Sequence, residues 1–278
     1  MSYKDIVICG DCLVEMKAIP DKSVDMVLCD LPYGVLNKNN KSAQWDSVIP
    51  FGLLWEQYNR IVKDRGVVVL FGQGMFTALL MASNPKKWRY NLIWDKKLKS
   101  GFLNANRQPL RQHEDIVVFA GAKPTYNPQM SKCEPGKRNH SRGNLQSPKQ
   151  NRCYGNFIET ESVISDEKFP TSILTFAKEH IKGKSYHPTQ KPVSLLEYLI
   201  RTYTNEGELV LDNTCGSGST LVACVNTNRH YIGIEKEKEY YDIAVKCVSD
   251  AKRELKDNTH TNVPLLIPQS TNFEHRNL

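Results

Sequence analysis

Two short segments, far apart in the chain, carry residue types that could do chemistry together. The first is Asp30-Leu31-Pro32-Tyr33, which directly follows the mostly apolar run Val24 to Cys29. That run reads as a buried strand, and an acid at the carboxyl end of a strand points into the ligand crevice of an open α/β sheet. Proline stiffens the turn and fixes the direction of the carbonyl before it. The Asp30 carboxylate and the Leu31 carbonyl are then two acceptors suited to an exocyclic amino group. Tyr33 offers a face on which a base can stack. Alone, this tetrapeptide also fits a plain β-turn.

The second segment is Leu209-Val210-Leu211-Asp212-Asn213-Thr214-Cys215-Gly216-Ser217-Gly218-Ser219-Thr220. A buried strand runs into a glycine-containing turn and then a helix, whose N-terminus offers unpaired N–H groups. A second strand follows and ends in Ile232-Gly233-Ile234-Glu235, where a carboxylate can accept two hydrogen bonds from a ribose diol. Strand, glycine turn, helix, strand and acid together make a nucleoside-cofactor site. A dinucleotide fold normally shows three spaced glycines, and here Leu221 stands in the third place. Asp212 adds an acid where a pyrophosphate would be repelled. It suits a cationic, amino-acid-bearing cofactor, and S-adenosylmethionine is such a ligand.

The elements that must position these segments alternate along the chain. Strands are expected at Ile6 to Cys9, Val24 to Cys29, Gly66 to Gly72, around Asn91 to Trp94 and at Ile116 to Phe119. Helices are expected after Asp11 up to Pro20, over Leu53 to Val62 and near 75–83. After a long interruption the rhythm resumes with helix 193–203, strand Leu209 to Leu211, helix 218–227, strand Tyr231 to Ile234 and helix 237–255. Strands without polar alternation imply a parallel sheet covered on both faces. The fold expected is therefore α/β, a doubly wound, mostly parallel sheet. Residues 1–121 and 187–256 form the core, and 257–278 a weakly ordered tail. Residues 122–186 are rich in Pro, Asn, Ser, Gly and Lys, far longer than an ordinary loop, and form one basic insertion.

The net charge of +7 is unevenly spread. Residues 86–152 hold 15 Lys+Arg against 4 Asp+Glu, and the rest of the chain is mildly acidic. A basic block on an acidic body is the footprint of a polyanion partner, or a solvated loop surface. Trp88, Tyr90, Trp94, Tyr126 and Tyr154 in or beside this block are aromatics for sugar or base contacts, or for the core. With 40% hydrophobic and 24% charged residues, the 278-residue chain is of ordinary globular composition. No apolar run approaches the length of a membrane span, and no apolar h-region follows Met1 to Asp5. A soluble, cytoplasmic protein is expected. Of the eight cysteines, Cys9-x-x-Cys12 lacks a second pair at zinc spacing, so no metal site is expected. Cys9, Cys29, Cys224 and Cys247 read as small core residues in a reduced protein.

Taken together, these motifs resemble a DNA amino-methyltransferase of the β group, in which the catalytic motif precedes the cofactor motif. Asp30-Leu31-Pro32-Tyr33 is similar to the family's DPPY, with Leu31 replacing the first proline. Asp212 to Thr220 resembles the DPFAGSGTT cofactor loop. His187-Pro188-Thr189-Gln190-Lys191-Pro192 matches the HPTQKP signature that lines the methionine end of the cofactor. Gly10-Asp11-Cys12 is similar to a segment whose Asp touches the cofactor adenine. The resemblance covers residues 5–121 and 187–250, and 122–186 correspond to the variable target-recognition region.

The resemblance implies methyl transfer from S-adenosylmethionine to an exocyclic amine of a flipped base in double-stranded DNA. Asp30, Leu31, Pro32 and Tyr33 would be the catalytic residues. Asp11, Cys12, Asp30, His187, Thr189, Lys191, Asp212, Thr214, Gly216, Ser217, Gly218, Ser219, Thr220 and Glu235 would hold the cofactor, with Lys191 available to pair with its carboxylate. Arg107, Arg111, Lys137 and Arg138 are candidates for phosphate contacts. Adenine N6 is favoured over cytosine N4 because N4-type members typically carry Ser where this chain has Asp30. Competing readings are a silent DNA-binding protein that kept the fold, a nicotinamide oxidoreductase, and the same chemistry on RNA or a protein amide. The resemblance is compatible with a homodimer and with a cognate restriction endonuclease as partner.

Overall fold

The buried runs become the strands of one sheet because both of its faces are covered. In the computed structural model, which describes residues 3–35, 46–135, 139–141, 163–178 and 190–261, successive strand residues point into two different cores. Met26 and Leu28 pack with Val67, Val69, Phe71, Val210 and Leu221 on one side. Val27 and Cys29 pack with Val68, Leu70, Leu54 and Leu211 on the other. Every second residue must be apolar for each face, so the strand sequence shows no alternation at all.

The strands and helices are, in chain order, β1 (Ile6–Cys9), α1 (Cys12–Glu15), β2 (Val24–Cys29), α2 (Phe51–Ile61), β3 (Val62–Gly72), α3 (Met75–Ser83), β4 (Trp88–Ser100) and β5 (Arg111–Ala120). Four short strands follow, β6 (Ser131–Lys132), β7 (Asn139–Ser141), β8 (Val163–Ser165) and β9 (Glu167–Lys168), then β10 (Ile173–Thr175). The chain closes with α4 (Val193–Tyr203), β11 (Leu209–Asp212), α5 (Ser219–Asn226), β12 (His230–Glu235) and α6 (Lys238–Thr261). Among the described residues, the main sheet has eight strands in the order β1-β12-β11-β2-β3-β5-β4-β10. Residues of α2 and α3 seal one face, and residues of α4, α5 and α6 seal the other. No helix among the described residues is long and apolar enough to cross a membrane.

Several expectations need correction. β5 runs antiparallel to both β3 and β4, while the other pairings in the sheet are parallel. The link from Gly101 to Leu110 is too short for a crossover, so it can only reverse the chain. β4 and β5 are also longer than their apolar centres, extending as a polar hairpin over Lys96 to His113. Part of the expected insertion belongs to the core sheet, since β10 adds a parallel strand at the edge beside β4. Trp94 anchors it there, donating its indole N–H to the Phe176 carbonyl at 2.8 Å. Trp94 is thereby core, whereas Trp88, Tyr90 and Tyr126 are exposed; Tyr154 lies outside the described residues. The first expected helix splits into α1 and a 3₁₀ turn at Met16–Ala18. α6 continues past Lys256 to Thr261, into the expected tail, although Asp257, Asn258 and Thr259 are weak helix formers. Cys29 and Cys224 are buried as expected, but Cys9 is exposed and Cys247 half-exposed, because β1 is an edge strand and α6 an outer helix.

Candidate active site

β2 and β11 are 180 residues apart in sequence yet lie side by side and parallel, with Met26 opposite Val210 and Val27 opposite Leu211. From β2 the chain winds to β3 on one side, and from β11 it winds to β12 on the other. This reversal is the topological switch point, and the carboxyl ends of its strands open a crevice there. Asp30 leaves β2 and Asp212 ends β11, so both acids lie at one place. A cavity of about 1020 Å³ joins them, lined also by Tyr33, Thr214, Gly216, Ser217, Thr220 and Glu235. Its size is at the upper end of the usual range for small-molecule sites.

The strand ends are tied together across the switch point. Thr214 donates its hydroxyl to the Asp30 carbonyl at 3.2 Å. The Asn213 side-chain oxygen accepts from Tyr58 at 2.7 Å and from the Cys29 thiol at 3.2 Å, while its Nδ2 is buried with no hydrogen-bond partner. Leu31 sits inside the core at 2% exposure, packed in the cluster of Met16, Leu54 and Phe76. An apolar side chain anchored in the core thus stands where the resembling motif has its first proline. Asp46 finishes that turn by accepting the N–H groups of Gly34 at 3.0 Å and Val35 at 2.7 Å. Tyr33 stacks on Phe76 with ring centroids 4.5 Å apart.

Donors hold both oxygens of Asp30. The Tyr33 hydroxyl donates to Oδ1 at 2.8 Å, and the Lys191 ammonium donates to Oδ2. Lys191 also lies 3.4 Å from Glu114, which in turn pairs with Lys96 at 3.1 Å. Burial would push the Lys191 ammonium down, but the Asp30 and Glu114 carboxylates outweigh it and leave its pKa raised. Burial likewise opposes ionisation of Glu114, and Lys191 and Lys96 overcome it to lower its pKa. The result is a charged alternation, Lys96–Glu114–Lys191–Asp30, closing one wall of the crevice. Two of the three Lys191 donors are thus directed at Asp30 and Glu114, and the residue also lines the crevice.

The glycine turn follows the expected plan with one difference. Gly216 and Gly218 both have positive φ, 51° and 84°, which favours glycine. Gly216 donates its N–H to Glu235 Oε2 at 2.8 Å, and Glu237 donates its own to Oε1 at 2.8 Å. Each oxygen of Glu235 keeps a lone pair for a ligand hydroxyl. Gly218 does not line the crevice; a Cβ there would stand 3.0 Å from the Cβ of Ala244, so its role is close packing of α5 against α6. Ser219 and Thr220 open α5 at the crevice. Across the mouth, Asp11 caps α1 by accepting from the Leu13 N–H at 3.0 Å, and Cys12 is buried beside it.

Burial drives the Asp212 carboxyl up to about 7, and burial raises Glu235 as well. Two desolvated acids fit a ligand with positive charge and hydroxyl groups. Of the remaining site residues, Arg111 lines the crevice and bonds Gln73, and Arg107 is exposed on the β4–β5 connection. His187, Thr189, Lys137 and Arg138 lie outside the described residues. Sequence reasoning missed Glu114, Lys96 and Asp46. The rule that sites gather at carboxyl ends of strands passes over Glu114, which enters from the amino-terminal half of β5, the one reversed strand.

Known proteins with related sequences and folds cover most of the chain. The chain is 28% identical over 92% of its length to the type II methyltransferase M.HinfI of Haemophilus influenzae, covering 70% of that protein. It is 24% identical over 86% of its length to M.HpaI of Haemophilus parainfluenzae, covering 72% of it. Among solved structures, the M1.HpyAVI complex with SAM superposes with a TM-score of 0.55 at 22% identity, over 87% of this chain and 98% of that one. The cytosine-N4-specific PvuII DNA methyltransferase reaches 0.61 at 14% identity, over 90% and 92%. The family model described as DNA methylase, covering N6 and N4 enzymes, matches residues 24–246, and the chain belongs to that DNA methylase family.

Proposed function

We propose that this methylase uses S-adenosylmethionine to methylate N6 of an adenine flipped out of duplex DNA. The observation that carries the reading is the position of Asp30, held by Tyr33 and Lys191 at the switch point, in the same crevice as the Asp212–Thr220 turn and Glu235. In this assignment Glu235 takes the ribose hydroxyls, Asp11 the adenine side and Asp212 the cationic amino-acid end. The bound cofactor supplies an electrophilic methyl group on a positive sulfur.

The chain's residues do the rest. Asp30 is oriented by two donors, and each of its oxygens keeps a lone pair for an amino hydrogen of the target base. Together with the Leu31 carbonyl it draws lone-pair density onto the amino nitrogen. Tyr33 presents an aromatic surface beside the base. As the nitrogen takes the methyl in line, its surplus proton passes to Asp30 and from there to water. No covalent bond to the enzyme forms, so positioning carries much of the acceleration. The exposed cations among the described residues of this basic stretch, Lys97, Lys99, Arg107 and Arg111 among them, grip the phosphates, and the target leaves the stack at a cost of a few kcal/mol.

The test is labelled methyl transfer to unmethylated duplex DNA followed by nucleoside analysis. N6-methyladenine is expected from the wild-type protein and none from Asp30→Ala, which should still bind the cofactor. N4-methylcytosine would keep the fold and cofactor but overturn the adenine assignment. Equal turnover by Asp30→Ala would overturn the role of the acid.

A further inference from the structure

The tip of the β4–β5 hairpin presents its apolar side chains to solvent. Leu103 is 101% exposed and Phe102 68% exposed, so Leu103 has no covering contact from its own fold. Two adjacent large apolar residues held in water are free to meet a partner. The tip is also well built. Gly101, at φ 90°, starts a 3₁₀ turn over Phe102–Asn104. Backbone N–H groups of Asn104, Ala105, Arg107 and Gln108 donate to carbonyls three or four residues back at 2.9–3.1 Å. At its base Ser100 donates its hydroxyl to the Arg111 carbonyl at 3.2 Å.

Charge and location identify the partner. The exposed side chains flanking the tip include Lys97, Lys99, Arg107 and Arg111, and no Asp or Glu stands between Lys96 and His113. An apolar point in a wholly cationic frame is complementary to stacked bases between phosphate rails. Leu98, Ser100 and Arg111 of the same hairpin line the crevice that holds Asp30, so the tip stands beside the entrance through which a base must pass.

We propose that Phe102 and Leu103 form a wedge that enters the DNA stack and fills the space left by the extruded base. This rests on the DNA-methylation reading above and deepens it. The wedge makes base extrusion favourable without touching the reacting atoms, so its loss is felt where extrusion is costly and spared where the target is already loose.

The experiment compares wild type with the double variant Phe102→Ala/Leu103→Ala, whose exposed side chains leave the core untouched. Sites are first mapped by methylating unmethylated genomic DNA with wild type. A short duplex carrying a mapped site is then made in two forms, one fully paired and one with the target base opposite an abasic position. Single-turnover methylation by the variant should fall roughly ten- to hundredfold on the paired duplex, the range expected for a lost extrusion contribution. It should recover most of that loss on the abasic duplex. 2-Aminopurine at the target position should brighten on binding wild type and brighten less with the variant. Equal rates on the paired duplex, or an equal loss on both duplexes, would overturn the wedge. So would loss of self-association in sedimentation with methylation unchanged, which would make the tip an interface between copies. Failure of wild type to methylate any DNA would instead overturn the underlying reading.

Discussion

Burial is the main force on Asp212, lifting its carboxyl to about 7 against hydrogen bonds from Thr220 and the Thr214 N–H, while the Asp30 and Glu235 charges add to the rise. An ordinary Asp titrates near 4, so the folded value lies above the unfolded one. Its stability contribution is therefore complete below about pH 4 and is lost as pH rises through about 7. A cationic ligand reverses that cost by stabilising the ionised form. S-adenosylmethionine affinity should accordingly rise between roughly pH 5.5 and 7, with a proton released on binding. Calorimetry in buffers of different ionisation enthalpy checks this, and Asp212→Asn should lose most of the slope. An affinity flat across that window would remove Asp212 from the cationic end. Residue identity at this position was legible in the sequence; its titration was not, because burial comes from β2 and β12 on either side. Lys191 shows the same division. Its presence in the crevice was legible, yet its partners Asp30 and Glu114 come from strands distant in sequence.

Glycine 218 illustrates the element scale. Its φ of 84° and its approach to Ala244 make two separate demands for a missing side chain, one local and one from packing. Gly218→Ala should cost about 1–3 kcal/mol, read as a lower urea midpoint. It should also weaken cofactor binding, because the N-terminus of α5 and α6 would have to part. Wild-type stability and affinity would mean that neither demand is real. The sequence pattern located α4 at 193–203, as observed, because an amphipathic period and a preceding proline define it locally. It found only the apolar centres of β4 and β5. Their polar ends carry no apolar period, and they pair only in part, with an irregularity between Asp95 and Ser100.

Along the whole chain a strongly basic stretch, residues 86–152, interrupts a mildly acidic remainder, and in the proposed function it supplies the DNA contacts. Such a stretch binds by releasing counterions, with roughly 0.9 units of log affinity per log unit of salt for each phosphate neutralised. For about six contacts, affinity for duplex DNA should drop about a thousandfold between roughly 50 and 200 mM salt. Fluorescence anisotropy across that range reads the slope, and a slope near zero would show that the basic stretch is merely solvated surface.

What the sequence determined by itself was local: the strands that are apolar throughout, the glycine turn, and the acids at strand ends. These follow from periodicity and backbone freedom, which neighbours along the chain impose. Only the tertiary structure decided that β2 and β11 are adjacent, that β5 runs backwards to bring Glu114 to Asp30, and that β10 completes the sheet. Strand order and direction are set by how two cores close on both faces of the sheet, a requirement that no single segment of the chain contains.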